Sequence, residues 1–321
     1  MTPFQSEIEE IPVALERLVA FYKGEGKERL RAFRGLLARR RSTVWGGMGT
    51  SWFAPEVIFA TLWERGISSS AWEAGEWLHY GPHQPDPQTL AILTSQSGES
   101  AEVRALVEQG RAGKEFAAIT NQEGSTLGRG ASVVLPLCAG DEASISTKTY
   151  ANTLAVLHLV EAALRGDAEV DSALGQLRLA AQALRRSEDA AVRDAARSLG
   201  AAHAIAFVAR GPALVAARQC SLTFMEGARI LTSAFAGGGY NHGPAETLEA
   251  GARLVILQAG ASRTRGLTES LAARAAGYGA DVTLIFGDGE RPPALPGVRS
   301  IAVPDGGITA QARDPSAKLR A

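Results

Sequence analysis

The sequence predicts an α/β protein made of two parallel-sheet domains that repeat one plan. Three observations carry this expectation. The 321 residues exceed what one hydrophobic core usually organises. Short apolar strands alternate with helical segments, as in a parallel sheet covered on both faces. The second half then repeats the segment order of the first at an offset of about 160–170 residues.

Phe4 to Tyr22 carries Ile8, Ile11, Val13, Leu15, Leu18 and Val19 at roughly helical spacing and stops near Gly24. Glu28 to Arg40 predicts a second helix. The apolar strand Thr43 to Trp45 leads through Gly46-Gly47-Met48-Gly49-Thr50-Ser51 into a helix from Phe53 to Trp63. Strand Leu90–Leu93, turn Thr94–Ser100 and helix Ala101–Gln109 repeat the unit. Phe116–Thr120 is a third strand, entering Asn121–Thr126, and Ser132–Leu135 a fourth. A polar loop and a long helix from about Thr147 to Leu164 follow. The Ala-, Arg- and Leu-rich stretch Val170–Ser198 reads as two helices. The strands of the second half are His203–Ala209, Leu254–Gln258, Asp281–Phe286 and Ser300–Val303. The expected divisions are N-terminal helices over 1–40, a first domain over 41–165, a helical linker over 166–199, a second domain over 200–305 and a short tail over 306–321.

Composition narrows the function classes. A hydrophobic fraction of 45% with 21% charged residues fits a soluble globular chain and excludes disorder. A net charge of −1 argues against a broad nucleic-acid or membrane surface. No apolar stretch has the length of a membrane span, and the acidic, amphipathic start MTPFQSEIEEIPVALERL does not read as a signal peptide. Cys138 and Cys220 lie far apart and outside any CxxC pair, which argues against a disulfide framework and fits a reducing cytoplasm. No cluster has metal-ligand spacing. Lysine occurs only at Lys23, Lys27, Lys114, Lys148 and Lys318, which restricts any imine chemistry to few positions.

The strongest local signal is Thr94-Ser95-Gln96-Ser97-Gly98-Glu99-Ser100, between a buried strand and a helix. Hydroxyls, an amide and a glycine meet there at a helix N-terminus, a neutral cradle for a phosphate. The loop lacks the lysine of a Walker A motif and the spacing of a dinucleotide fingerprint. The alternative is plain capping of the helix by Ser97 or Ser100. The corresponding turn of the second half, Ala259-Gly260-Ala261-Ser262-Arg263-Thr264, has fewer hydroxyls and no glutamine, so one phosphate loop per chain is expected. Among the histidines, His158 and His203 fall within apolar patterns and read as structural, while His79 and His83 read as solvent-facing. His242 alone lies in a glycine-dense turn, Gly237–Pro244, where backbone can approach a ligand closely. Arg39, Arg40 and Arg41 read as a basic helix end, and Trp63, Trp72, Trp77 and Tyr80 as the packing of a surface helix and loop.

Ser95–Ser100 resembles the phosphosugar loop of SIS (sugar isomerase) domains. Asp141-Glu142-Ala143-Ser144-Ile145-Ser146-Thr147-Lys148-Thr149-Tyr150 resembles the next signature of double-SIS proteins, Asn241-His242-Gly243-Pro244 their His-Gly-Pro loop, and Gly47–Ser51 their first substrate loop. The likeness runs from about Glu7 to Val303, to the isomerase half of glutamine–fructose-6-phosphate aminotransferase and to amino-sugar-phosphate deaminases and deglycases. It implies two flavodoxin-like SIS domains, with Ser95, Gln96, Ser97 and Ser100 holding the phosphate and Ser51 and Ser146 completing the cradle or meeting the sugar. It further implies that Glu226 shuttles a proton between C1 and C2, and that His242 opens the ring from the neighbouring subunit of a homodimer. No cofactor is implied. Two departures stand out. Thr223 replaces a lysine three residues before the carboxylate, and the segment after Val303 is short, so that Lys318, in Ala317-Lys318, only partly matches the Schiff-base lysine of the family's tail. Position 2 is Thr2 where a glutaminase domain carries its cysteine nucleophile, so neither a glutaminase domain nor glutamine-dependent amination is expected. The resulting expectation is a cytoplasmic sugar-phosphate aldose–ketose isomerase, extending to an amino-sugar-6-phosphate deaminase. A phosphosugar sensor without turnover and a fructosamine-phosphate deglycase stand as alternatives.

Overall fold

The structure is a computed structural model that describes residues 2–185, 190–258, 263–287, 289 and 294–304. The chain forms two compact units, Met1–Ala181 and Gln182–Ala321.

The first unit opens with helices α1 (Pro3–Glu9), α2 (Ile11–Lys23) and α3 (Gly26–Leu37). Strand β1 (Ser42–Gly47) is followed by α4 (Thr50–Phe53), a 3-10 stretch (Ala54–Ile58) and α5 (Phe59–Glu64). Then come β2 (Ser68–Glu73), α6 (Ala74–Tyr80), β3 (Thr89–Ser95), α7 (Ala101–Glu108), β4 (Phe116–Thr120), α8 (Thr126–Gly130), β5 (Val133–Pro136), α9 (Lys148–Ala163) and α10 (Asp167–Leu184). The strands form one sheet in the order β2-β1-β3-β4-β5, parallel throughout.

The second unit holds α11 (Ala190–Gly200), β6 (Ala204–Ala209), α12 (Ala213–Thr223), a π turn (Phe224–Ala228), β7 (Leu231–Ala236) and α13 (Gly237–Tyr240). A 3-10 turn (Pro244–Thr247), β8 (Arg253–Leu257), α14 (Arg265–Gly277), β9 (Asp281–Gly287) and β10 (Val298–Val303) complete it. Its sheet, read β7-β6-β8-β9-β10, repeats the order of the first. Both follow the flavodoxin-like order, in which the chain steps from the first strand to an edge strand and then reverses across the first to continue on its other side.

Parallel strands buried on both faces read as unbroken apolar runs, but the two faces still alternate. In β6, Ile205, Phe207 and Ala209 pack with Ala217 of α12 and Leu199 of α11, while Val208 joins Leu254, Ile256 and the α14 residues Leu271 and Ala275 on the other side. Each large apolar side chain sealed this way contributes about 1.5–3 kcal/mol. In the first unit Gly46 makes room for Trp77: a Cβ there would lie 2.9 Å from the indole and 2.7 Å from Leu93.

Several expectations need correction. Pro12 opens α2, so the segment from Phe4 to Tyr22 is two helices and not one. Pro55 turns the middle of the expected 53–63 helix into a 3-10 stretch, because proline cannot supply the amide that an α-helical interior needs. The edge strands β2 and β7 were not expected. Trp77 is a core residue at 1% exposure, whereas Trp63 and Tyr80 are exposed. His203 is exposed just ahead of β6 rather than packed within it. His158 does serve a structural purpose, its Nε2 lying 2.9 Å from Gln176 Oε1. Among the described residues no helix is long and apolar enough to cross a membrane.

Candidate functional site

In both units the first strand in sequence, β1 or β6, pairs on one side with the second and on the other with the third, so a crevice opens at their C-terminal ends. In the first unit β1 and β3 pair from Ser42↔Thr89 to Gly46↔Leu93. The loops that leave them, 47–51 and 95–100, therefore start side by side at that crevice.

The 95–100 loop is held by its own hydroxyls. Ser95, 3% exposed at the end of β3, accepts a hydrogen bond from the Gly98 N–H at 3.1 Å and lies 3.0 Å from Ser100 Oγ. Ser97 Oγ accepts from the Glu99 N–H at 3.2 Å. The Gln96 carbonyl accepts from Asn121 N–H at 3.1 Å and from Thr120 Oγ1 at 3.3 Å, which ties the loop to the end of β4. Ser100 is the N-cap of α7 but makes no side-chain cap bond, so the capping role weighed for it from sequence is not the one its hydroxyl takes. Gly98 has φ +65°, and a Cβ there would stand 2.0 Å from Ser125 Oγ.

Glu99, the one acidic side chain of the loop, turns away to Thr126. Its carboxylate accepts from the Thr126 N–H at 2.6 Å and from Thr126 Oγ1 at 3.1 Å. The bond from the Thr126 amide, chiefly, holds this carboxyl below the ordinary carboxylate range.

Ser51 sits in the turn after β1, where its N–H bonds the Met48 carbonyl at 3.0 Å. Gly49 has φ +50°, and a Cβ on Gly47 would lie 2.6 Å from the Ser51 carbonyl group, so this turn needs both glycines. Ser146 lies in the segment entering α9, with its Oγ 3.0 Å from Thr149 Oγ1. That segment is shaped by Glu142, whose carboxylate accepts from Thr147 N–H (2.9 Å), Thr147 Oγ1 (2.9 Å), Thr149 N–H (3.1 Å) and Thr149 Oγ1. The N-terminal helices fasten the same segment from outside. Glu7 accepts from the Ala143 N–H at 2.6 Å, Arg17 donates to the Ala139 carbonyl at 2.7 Å, and buried Lys148 pairs with Glu10 at 2.6 Å. Glu142 and this strap were not read from the sequence. The available signal was an acidic residue five and seven positions ahead of two threonines at a helix start.

In the second unit Glu226 lies in the π turn after α12, a helix irregularity often found at functional sites. Its side chain is open in the single chain, yet partial desolvation raises its carboxyl above the ordinary range. Thr223 ends α12 and accepts from Gln219 Nε2 at 3.1 Å. His242 is exposed in the turn after α13, its N–H bonded to the Gly239 carbonyl at 3.0 Å. Glu226 enters β7 and His242 follows its far end, so the two are separated by that strand, roughly 20 Å of extended chain. A single chain does not bring them together along this strand. Lys318 and Ala259–Ser262 lie outside the described residues. Burial pushes both cysteine thiols up to about 11, away from nucleophilic chemistry near neutrality.

Residues 36–163 match the family model of the SIS domain. The chain is 28% identical over 304 residues to a glutamine–fructose-6-phosphate aminotransferase (isomerizing) of Streptococcus mutans, which covers 88% of this chain and 49% of that protein. It is 31% identical over 235 residues to the Aeropyrum pernix protein of the same name, covering 70% and 38%. The chain thus spans about half of these relatives or less. Among solved structures, the C-terminal domain of glucosamine-fructose-6-phosphate aminotransferase from Francisella tularensis superposes with a TM-score of 0.82 at 19% identity, covering 95% of this chain and 90% of that one. Tagatose-6-phosphate ketose/aldose isomerase from Escherichia coli gives a TM-score of 0.77 at 19% identity, covering 94% and 85%. At such identities these two structures bear on the fold alone.

Proposed function

Because this chain carries a SIS domain over residues 36–163 and is homologous to the isomerase part of the glutamine–fructose-6-phosphate aminotransferases, we propose that it binds a sugar 6-phosphate and interconverts its aldose and ketose forms. The observation that carries the reading is the 95–100 loop. Three serine hydroxyls, a glutamine amide and the uncapped start of α7 meet at the sheet's switch point, while the loop's one carboxylate is turned to Thr126. A phosphate dianion there meets hydrogen-bond donors. Ser95, Gln96, Ser97 and Ser100 are assigned to the phosphate, and Ser51 and Ser146 to the sugar or the rim of the cradle.

Isomerisation moves one proton between adjacent carbons and one between their oxygens, with no net oxidation. Glu226 removes it from C1 or C2, the enediol oxygens carry the resulting charge, and the same carboxyl returns it to the neighbouring carbon. The raised carboxyl of Glu226 suits a group that must both take and give a proton. His242 is assigned to ring opening, exchanging protons with the ring oxygen and the anomeric hydroxyl. The length of β7 between the two supports a homodimer in which His242 reaches the partner's sugar, and the proposed setting is the cytoplasm. Release of ammonia from a 2-amino-sugar 6-phosphate belongs to the same proposal: transfer of the C2 proton to C1 gives a C2 imine, which water hydrolyses to the ketose and ammonia.

A second reading is a sensor that binds without turnover, favoured by Thr223 at the position where the aminotransferases carry a lysine. An NMR screen of aldose, ketose and 2-amino-sugar 6-phosphates decides between the readings. Exchange of the C2 proton with solvent, or ammonia release, supports the enzyme; saturable binding with neither supports the sensor.

A further inference from the structure

Asn121 stands between two loops of the first unit. The register sets Ser95 of β3, Thr120 of β4 and Pro136 of β5 abreast, so Asn121 is the first residue past the end of the middle strand. Its N–H donates to the Gln96 carbonyl at 3.1 Å, in the 95–100 loop. Its side chain bonds the segment that leaves β5. There Nδ2 donates to the Gly140 carbonyl at 2.8 Å, and Oδ1 accepts from the Ala139 N–H at 2.8 Å. One partner is an acceptor and the other a donor, which fixes the way the amide faces.

The backbone gripped by this amide needs holding. Cys138 has φ +53° and Gly140 φ +74°, so two left-handed residues flank Ala139. Cys138 carries a side chain in that conformation, which costs free energy and persists where the surroundings over-determine it. Arg17 of α2 supplies a further hold, donating to the Ala139 carbonyl at 2.7 Å, and Ala139 is fully buried. The segment then runs on to Ser146, its later part shaped by the bonds from Thr147 and Thr149 to Glu142.

We propose that Asn121 is a positioning residue that holds Ser146 in register with the 95–100 loop, so that one ligand reaches both. This rests on the reading above, in which the loop holds the 6-phosphate and Ser146 meets the sugar. The backbone N–H of Asn121 serves one subsite and its side-chain amide the other. A ligand that spans two subsites held in register gains both contacts without first ordering the protein, whereas a ligand confined to one subsite gains nothing from the register. Preference for a phosphate that carries a sugar over phosphate alone is therefore assigned to Asn121, a residue given no contact with either.

The test is calorimetric titration of the full chain with two ligands, inorganic phosphate and the sugar 6-phosphate bound most tightly in the screen above. Asn121→Leu removes both side-chain bonds at similar size and leaves the backbone N–H on Gln96. It is expected to weaken the sugar 6-phosphate about tenfold and inorganic phosphate less than about twofold. Ser146→Ala is expected to cost about fivefold in the wild type and less than about twofold in Asn121→Leu, where the hydroxyl is no longer held in register. Asn121→Asp keeps the acceptor for Ala139 and loses the donor to Gly140; it is expected to show the same split, and it decides the matter if Asn121→Leu does not fold. Should inorganic phosphate bind too weakly to measure, the Ser146→Ala comparison decides. A residue that merely stabilised the domain would weaken both ligands alike or neither. Either result overturns the proposal, as does a Ser146→Ala effect that persists in full in Asn121→Leu or is missing from the wild type. In those cases the wild type still binds its sugar phosphate, and that reading stands. If the wild type binds neither ligand, the sugar-phosphate reading falls and takes this proposal with it.

Discussion

Alanine at position 98 would meet two separate obstacles, and the structure allows each to be sized. Gly98 holds φ +65°, where an L side chain costs about 1–2 kcal/mol. The added Cβ would also lie 2.0 Å from Ser125 Oγ and 2.6 Å from Ser125 Cβ, an overlap that costs about 1–3 kcal/mol to relax in a packed region. Gly98→Ala is therefore expected to destabilise the chain by about 2–5 kcal/mol and to displace the hydroxyls of Ser95, Ser97 and Ser100 from their present bonds. Ser125→Gly removes the colliding atoms and leaves Thr120 Oγ1 at 3.2 Å as the next neighbour. By itself it loses the cap bond from the Gly128 N–H, a change of only a few tenths of a kcal/mol when glycine replaces serine. The double mutant should recover the steric share, about 1–3 kcal/mol, but not the backbone share. Denaturant unfolding of the four chains gives the coupling, and titration with a ketose 6-phosphate shows whether affinity returns with it. Wild-type stability in Gly98→Ala, or no coupling to Ser125→Gly, would refute this account of the loop.

Other outcomes follow from the same residues. Replacing Ser95 and Ser97 with alanine should weaken binding of a sugar 6-phosphate at least about tenfold, since each bond to a charged oxygen contributes about 1.5–3 kcal/mol, with little effect on the unphosphorylated sugar; calorimetry on both ligands checks it. Glu226→Gln should keep binding and abolish C2-proton exchange, and in the wild type the acid limb of the pH–rate profile should lie above the ordinary carboxylate range, because the raised group must be ionised to act as base. Because the Glu99 carboxyl is lowered in the folded chain, its contribution to stability is present above the ordinary carboxylate value and is lost as pH falls through the lowered one; Glu99→Gln should flatten that acid limb of the unfolding free energy. Mixing Ser97→Ala and His242→Ala chains under conditions of subunit exchange, at a substrate level where neither parent turns over, should restore about a quarter of wild-type turnover if each site takes His242 from the partner. Mixed dimers as inactive as their parents would place the histidine elsewhere.

The central strands were legible because burial on both faces leaves uninterrupted apolar runs such as Leu90–Leu93 and Phe116–Thr120. The edge strands were not. Ser68-Ser69-Ser70-Ala71-Trp72-Glu73 has one hydrogen-bonded neighbour and an exposed rim, so its composition carries little demand for apolar residues. Trp77 was placed wrongly because its burial depends on the absence of a side chain at Gly46, a partner distant in sequence. The position of the 95–100 loop, proposed to hold the phosphate, followed from its place between strand and helix. Which hydroxyl bonds which, Ser95 with Ser100 and Ser97 with Glu99, depends on a left-handed turn at Gly98 that residue types do not specify. Glu226 was legible only through resemblance, and its π turn has no periodic signature.

The fastening of the 139–148 segment by α1 and α2 bears on where this domain can be cut. The family match begins at residue 36, and an expression fragment begun there would look natural on an alignment. It would also strip Glu10 from Lys148, whose side chain is 3% exposed, and take away the carboxylate of Glu7 and the guanidinium of Arg17. The 139–148 segment, which includes Ser146, would lose its anchors to the N-terminal helices all at once. The smallest piece that can be tested fairly for ligand recognition therefore starts with the first helix, and an N-terminal fusion tag needs enough linker to leave Glu7 and Glu10 undisturbed.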